Sequence, residues 1–471
     1  MRTRHVWGWL TLLFLLFSQW VTTIGSEPEA PSTSTAPVPG VLIAPQPILA
    51  HSWIQPPTTQ RPAEANRDPL LQSAAAVSVL TLDDLIQIAL ACNPTLIQAS
   101  MAVQAAQGNH LQAGLYPNPV LGYKADEIGN QGTEGFQGAF LGQELVTAGK
   151  LRWGQAVACH EIQQARFALQ AQQQRVQNDV RIGYYETLLA QKRIEVNQQL
   201  VAIEQQSLKA TQQLKAAAEA SQVTVLQAGI EAEKVQLDLS EAEDQYQAAW
   251  RRLVAVLGRP EIAPAPLAGD PTSDLPELTW EESLARILSQ SPELAQARAA
   301  VDRARCDVAL QCAERVPNVD LGSAVKYDSM SRYTVVDLEV GVAIPIFSRN
   351  QGNILRAQAA VASAQGELRR VELALRERLA TVFQQYLNAR RRAEKYATTI
   401  LPHAQQSLEL TLAGYRHGEI DYLTLLTTQR TFCDTSLKHL DSLEELWTRT
   451  VELEGLLLRG GLQTAAAPAP Q

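Results

Sequence analysis

Between residues 334 and 346 apolar and polar positions alternate: Val336, Leu338, Val340, Val342 and Ile344 fall on one side of an extended strand, Asp337, Glu339, Gly341 and Ala343 on the other. Residues 318 to 327 repeat the pattern, with Leu321, Ser323, Val325 and Tyr327 opposite Asp320, Gly322, Ala324 and Lys326. A period of two predicts two strands joined by a short polar loop, Asp328 to Tyr333. A less regular pair is expected at 118 to 126 and 134 to 146, around the loop Glu127 to Glu134. One apolar face and one polar face suit a barrel strand against lipid, and equally the edge of a soluble sandwich. Tyr123, Phe136, Phe140, Tyr327, Tyr333 and Phe347 cluster at these strands, and a membrane-interface girdle is expected of them.

The rest of the chain has a helical period. Thr81 with Asp84 three residues on resembles an N-terminal capping box, and Pro94 suits the first turn of a second helix that runs to about Leu115. Beyond Gly149 and beyond Gly352 the pattern is helical for about 65 residues, which at 1.5 Å per residue gives about 100 Å. Val196, Leu200, Ile203, Ser207, Ala210, Leu214 and Ala217 step by four and three, as in a coiled-coil seam of small residues. Ser221 and Asp421 are placed to cap returning helices, and Gly418 suits the left-handed residue that ends a helix, so both places predict hairpin tips. Gly149-Lys150 and Asn350-Gln351-Gly352 mark the strand-to-helix turns, which would aim the helices onward from the sheet.

These features occur twice. Asn93-Pro94-Thr95-Leu96 returns as Ser291-Pro292-Glu293-Leu294, Pro117-Asn118 as Pro317-Asn318, and Gln205-Gln206-Ser207-Leu208 verbatim at 405 to 408. A period near 200 is too long for a solenoid and indicates a two-fold duplication of one large unit. The expected organisation is a signal peptide over 1–25, a Pro/Ser/Thr-rich tether over 26–77, repeat one over 78–270, repeat two over 271–461 and a frayed tail over 462–471. The first segment carries Arg2 and Arg4, an apolar run from Trp9 to Phe17, then Thr22, Thr23, Gly25 and Ser26. That run is about ten residues where a membrane span needs about twenty. No cysteine follows it, so no lipid attachment is expected.

Composition narrows the function. Forty basic against 49 acidic residues give a net charge of −9, and no basic stripe is interleaved with aromatics, so nucleic acid is not an expected partner. Aromatics are only 6%, which with the Ala/Gln/Leu/Glu-rich middle favours long helices over a compact core. Cys92, Cys159, Cys306, Cys312 and Cys433 show no zinc-type spacing and read as buried thiols. No HxxxH or HxH pair, GxSxG or phosphate-binding loop is present; no catalytic residue, metal site or cofactor is expected, and Cys159-His160 points to different helix faces.

Taken together, Leu82 to Ala99, Gln143 to Arg152, Ala220 to Glu231, Ile344 to Ile354 and Tyr415 to Thr431 make the chain resemble the TolC-type outer-membrane efflux channel family over about residues 78 to 460. Pro345-Ile346-Phe347 followed by Arg349-Asn350-Gln351-Gly352 is similar to its heavy-metal branch. The resemblance implies a mainly α fold with a small β-barrel contribution, in which a duplicated helix–strand–strand–long helix–helix unit builds a trimeric tunnel embedded in outer-membrane lipid. It also implies a periplasmic adaptor of the membrane-fusion type and an inner-membrane resistance-nodulation-division pump as partners. Four strands cannot close a barrel when the smallest need about eight, which agrees with several chains sharing one. At the tip, Tyr415 and Gly418 match the family, whereas Ile420 replaces a gating arginine, and Thr224, Thr424 and Thr427 replace aspartates. That leaves Arg416, Glu419 and Asp421 as tip charges and implies a gate held by packing. Two other readings stay open at this point: a type I protein-secretion channel, and a soluble periplasmic coiled-coil protein.

Overall fold

The computed structural model of the chain describes residues 80–132, 134–217, 220–272 and 275–463. The expected signal peptide and tether lie outside the described residues, as does all but the start of the tail. Each repeat opens on two short helices: α1 (Leu82–Cys92) and α2 (Pro94–Ala113) in the first, α5 (Trp280–Gln290) and α6 (Pro292–Ala313) in the second. Thr81 and Asp84 close the capping box reciprocally, at 3.1 and 3.3 Å, and Thr279 caps α5 through the Glu282 amide. Asn93 and Ser291 then cap the second helix of each pair, with proline at its start where no backbone donor is required.

Two strands follow in each repeat, β1 (Val120–Asp126) and β2 (Phe136–Leu145), then β3 (Val319–Asp328) and β4 (Thr334–Val342). They form one antiparallel sheet in the order β1-β2-β3-β4, so the two repeats meet at the β2–β3 pair and strands β1 and β4 keep open edges. The last strand is shorter than its alternation predicted. It stops at Val342, because Pro345 has no donor for the ladder and Ile344 to Phe347 leave the sheet as an exposed apolar segment.

Long helices carry the chain away from the sheet. In repeat one α3 (Lys150–Ala216) runs 67 residues without a break and returns as α4 (Gln222–Leu257). In repeat two α7 (Gln351–Lys395) passes through a π-helical turn at Tyr396–Ile400 into α8 (Leu401–Arg416), and α9 (Tyr422–Glu454) returns. Pro402 is the physical reason for the turn: its ring would clash with the carbonyl of Thr398 in a regular helix, and a widened turn removes the conflict.

Large apolar side chains collect where the short helices meet the long ones. One cluster joins Leu85, Val176, Tyr184, Trp250 and Leu257, and a second joins Ile287, Leu375, Leu379, Tyr386 and Leu446. Each holds one tyrosine whose hydroxyl donates to an inter-repeat segment, Tyr184 to Ala268 O and Tyr386 to Pro276 O. After α9 the chain folds back over α3, where the fully buried Asn178 donates to the carbonyls of Gly455 and Leu458 at 2.8 and 2.7 Å.

Toward the hairpin ends the core changes character. The buried line of α3 is Asn197, Leu200, Glu204, Ser207 and Thr211: Leu200 and Ser207 fall on the expected seam, Asn197, Glu204 and Thr211 each lie one residue beyond it, and Ala217 is exposed. Helix α3 is flanked here by both α4 and α9, so its innermost line falls between the two partners rather than facing either one. That line is mostly polar. Among the described residues no single helix is long and apolar enough to cross a membrane, which says nothing of the sheet.

Candidate functional site

Two regions gather the residues singled out by sequence: the hairpin ends and the strand-to-helix turns. At the first hairpin end, Ser221 sits at the N-cap of α4 and accepts from the Thr224 amide at 3.1 Å, its hydroxyl lying 2.9 Å from that of Thr224. Thr224 is thereby tied into the cap. At the second, Gly418 adopts φ +74° after α8, and the amides of Gly418 and Glu419 bond back to the carbonyls of Tyr415 and Gly414 at 3.1 and 2.9 Å. A left-handed residue here satisfies the last carbonyls of the helix. Asp421 occupies the N-cap position of α9 but does not cap it as expected: its carboxylate accepts from the Thr424 hydroxyl instead of a backbone amide, and that bond holds it below the usual carboxylate range. Thr427 is exposed, and its hydroxyl turns back to the Leu423 carbonyl.

Contacts between the hairpins involve the predicted residues unevenly. Tyr415 is buried, with its hydroxyl 2.9 Å from that of Thr211 on α3, and the exposed Arg416 reaches Gln206 at 3.4 Å. Among the described residues, Glu419 and Asp421 form no ion pair. Sequence reading missed a charge link here, Arg430 on α9 to Glu231 on α4 at 2.6 Å, with Lys234 on the same carboxylate at 2.9 Å. Close by, Glu204 is buried. Loss of water, with the Glu231 carboxylate as a further push and Arg430 opposing, raises its carboxyl to about 7. Burial pushes Tyr422 up to about 12, with Glu204 and Glu231 adding to it, and Cys433 up to about 12, with Glu204 and Asp238 adding to it. The three-four stepping of α3 could have pointed to Glu204, but only packing against α9 shows which phase of that stepping is innermost.

The strand-to-helix turns lock one repeat to the other. Gly149 (φ +66°) leads into α3, and the buried Lys150 donates to Asn318 Oδ1 at 2.6 Å while pairing with Glu314 at 3.5 Å. Asn318 in turn donates to Glu144 at 2.6 Å, and Thr147 donates to the Pro317 carbonyl at 2.7 Å. In repeat two the left-handed residue is Asn350 (φ 57°), the first of the three expected turn residues, while Gly352 lies inside the first turn of α7. Asparagine tolerates this conformation better than other side chains with a Cβ. Its amide donates to the Gln311 carbonyl at 2.8 Å, while Gln351 accepts from the Arg349 amide at 2.7 Å.

Strand register sorts the sheet into two faces. Leu121, Leu141, Ser323 and Leu338 form one row across all four strands, and Tyr123, Ala139, Val325 and Val336 the next. These large apolar side chains are exposed, Leu338 at 82%. The opposite face carries Lys124, Asp126, Glu144, Asp320, Lys326, Asp328, Asp337 and Glu339, six acids against two lysines. Lys326 on β3 bridges Asp126 on β1 and Asp337 on β4, so the link spans all four strands, its path to Asp126 passing over Gly138 on β2. Phe136 and Phe140 belong to this charged face, so they are not part of an outer aromatic girdle; Tyr123 and Tyr327 are on the apolar face.

The family model described as "Outer membrane efflux protein" matches residues 85–259 and again 284–457, one match to each repeat. The chain belongs to the outer membrane efflux protein family. Within that family it is 26% identical to the cobalt-zinc-cadmium resistance protein CzcC of Cupriavidus metallidurans over 392 residues, 82% of this chain and 91% of the relative. It is 23% identical to the cation efflux system protein CusC of Escherichia coli over 279 residues, 56% of this chain and 60% of the relative. Among solved structures, the outer-membrane channel OprN superposes with a TM-score of 0.67 at 19% identity, covering 81% of this chain and 91% of that one. A crystal structure of CusC gives 0.65 at 20%, covering 80% and 92%, and VceC from Vibrio cholerae gives 0.66 at 18%, covering 80% and 96%. The fold of this outer membrane efflux protein is therefore that of the TolC-type channels, and a soluble coiled-coil protein is set aside. Its cysteines depart from expectation, since Cys159 and Cys312 are exposed rather than buried.

Proposed function

We propose that three copies of this outer membrane efflux protein form one continuous duct, a shared barrel leading into a helical tunnel, and that it is the outer-membrane member of a tripartite system. The single observation that carries this is the four-stranded sheet with an exposed apolar face, a charged face and two open edges. Strand edges left open are templates for pairing, and β1 of one copy against β4 of the next satisfies both while closing a twelve-stranded barrel. The apolar face then meets lipid, and the charged face lines the lumen. Helices α3, α4, α7, α8 and α9 continue as the tunnel into the periplasm, and the hairpin ends form its entrance, where Ser221, Thr224, Tyr415, Arg416, Gly418, Glu419, Asp421, Thr424 and Thr427 meet the helical hairpin of a periplasmic adaptor.

An inner-membrane pump of the resistance-nodulation-division class supplies the energy through that adaptor, and this chain conducts passively. Metal cations are the proposed cargo, because the relatives named for cobalt, zinc and cadmium resistance and for cation efflux span most and about half of the chain respectively. The acidic excess on the lumen face is compatible with cations. In the test, purified protein is reconstituted into planar bilayers, and cells lacking the gene are scored for zinc, cobalt and cadmium tolerance. Stable conductance with cation-preferring reversal potentials and metal sensitivity of the deletion are expected. Protein that stays monodisperse without detergent, or forms no pore, refutes the duct; unchanged tolerance to all three metals refutes the cargo.

A further inference from the structure

Between the hairpins lies a polar patch that a passive duct leaves unexplained. Glu204 and Ser207 on α3 and Gln429 on α9 are 4%, 2% and 2% exposed. Among the described residues, the Ser207 hydroxyl, the Tyr422 hydroxyl and both ends of the Gln429 amide have no hydrogen-bond partner. Gln429 lies on the stripe of α9 between Tyr422 and Cys433, and both of those side chains feel the charge of Glu204. Buried polar groups without partners are rare, since each one carries its full desolvation penalty.

The groups around the Glu204 carboxyl come from every neighbouring helix. Helix α4 contributes Glu231 and Lys234, with Asp238 farther along; α9 contributes Tyr422, Arg430 and Cys433; α8 contributes Tyr415, whose ring centroid is 6.1 Å from that of Tyr422. Both cations are committed elsewhere, as Arg430 and Lys234 each pair with Glu231. A buried carboxylate without its own counter-ion is costly, and such a group takes up a proton instead.

We propose that Glu204 is a proton-operated latch: while its carboxyl is protonated the α3/α4 and α8/α9 hairpins stay packed together at their ends, and loss of the proton drives them apart. This rests on the reading of those ends as the duct entrance. Protonated, the carboxyl is neutral and adds a donor to a patch that has unpartnered acceptors. Ionised, it adds a second negative charge beside Glu231 in a site that water does not reach.

The sign follows from the direction of the perturbation. Glu204 is raised from an ordinary 4.5 to about 7 in the packed arrangement, so the stabilisation it gives is complete below 4.5 and is lost as pH climbs to about 7. Over that window the closed-to-open ratio should fall by roughly 300-fold per latch, then level off.

Single-channel recording of the full protein in planar bilayers between pH 4.5 and 8 tests this. Wild type should open more often as pH rises through the window, whereas Glu204→Gln, which keeps shape and hydrogen bonding but cannot ionise, should hold its low-pH behaviour throughout. Glu231→Gln should move the wild-type midpoint down, by removing a like charge and freeing Arg430, and Arg430→Gln should move it up. These opposite shifts test the latch even if Glu204→Gln does not assemble. Conductance whose pH response is flat, or is the same in wild type and Glu204→Gln, or does not move in opposite directions in the other two variants, overturns the latch and leaves the duct standing. Absence of conductance at any pH overturns both.

Discussion

Leu338 sits at the centre of β4, four residues from either end, and is 82% exposed on the apolar face. Nine residues at about 3.3 Å, tilted by about 40°, span about 23 Å along a membrane normal, close to the apolar band of about 25 Å that outer-membrane barrels present. That places Leu338 about 11 Å from either rim. Leu338→Arg should therefore cost about 2–4 kcal/mol per chain, whereas Val342→Arg, on the same face at the strand end, should cost about 0–1 kcal/mol. Glu339→Arg lies on the charged face, the proposed lumen side, beside Gly322 and Gly142 and should be tolerated. The assay is urea unfolding of protein folded into liposomes, read as the midpoint shift at constant slope, with the trimer band on semi-native gels as a check. Equal destabilisation by Leu338→Arg and Glu339→Arg, or no gradient between Leu338 and Val342, would refute both the face assignment and the depth argument.

Gly418→Val should abolish efflux while leaving the trimer band intact: no atom lies near the added Cβ, so the effect is backbone strain at φ +74°, about 1–3 kcal/mol, confined to the hairpin end. Cysteines placed at Ile128 and Ser331, in the loops between the paired strands, should react with an impermeant maleimide on intact cells; labelling only after the outer membrane is ruptured would reverse the topology. Thr424→Asp with Thr427→Asp puts two carboxylates on an exposed stretch of α9 and should make conductance more sensitive to divalent cations; an unchanged response would show that these positions do not line the constriction. Lys150→Met should lower urea stability by about 1.5–3 kcal/mol, through loss of the bond to Asn318 and the pair with Glu314, with little change in conductance.

What was legible in the sequence was what depends on near neighbours. Thr81 with Asp84, Asn93 before Pro94 and Gly418 after a helix are each decided within four residues, and the two-residue period of Val336 to Val342 survives whatever packs against it. The duplication was legible for the same reason, as direct repetition. What failed needed parity or partners. Placing Phe136 and Phe140 in a girdle requires knowing that they share a face with Lys326, which only strand register reveals. Asn350, Gln351 and Gly352 were legible as a turn, but which of the three takes the left-handed conformation, Asn350, was not. Glu204 and Arg430 were missed since their environment is made by helices far apart in sequence, with Arg430 and Glu231 199 residues apart. Pro402 was a visible signal, a proline inside a helical run, and reading it would have located the π turn.

That turn has a consequence for symmetry. If the duplicated halves were alike, three chains would surround the axis with six equivalent hairpins, and anything docking on them would meet a six-fold pattern. Helix α3 is unbroken over 67 residues, while its counterpart changes pitch at Tyr396–Ile400. In the proposed trimer the six hairpins would therefore alternate between an unbroken kind and a jointed kind, and the pattern would fall from six-fold to three-fold from that level onward. On such a trimer a ring of six identical partner subunits would have to engage in two different ways, and a ring of three could select one kind and ignore the other.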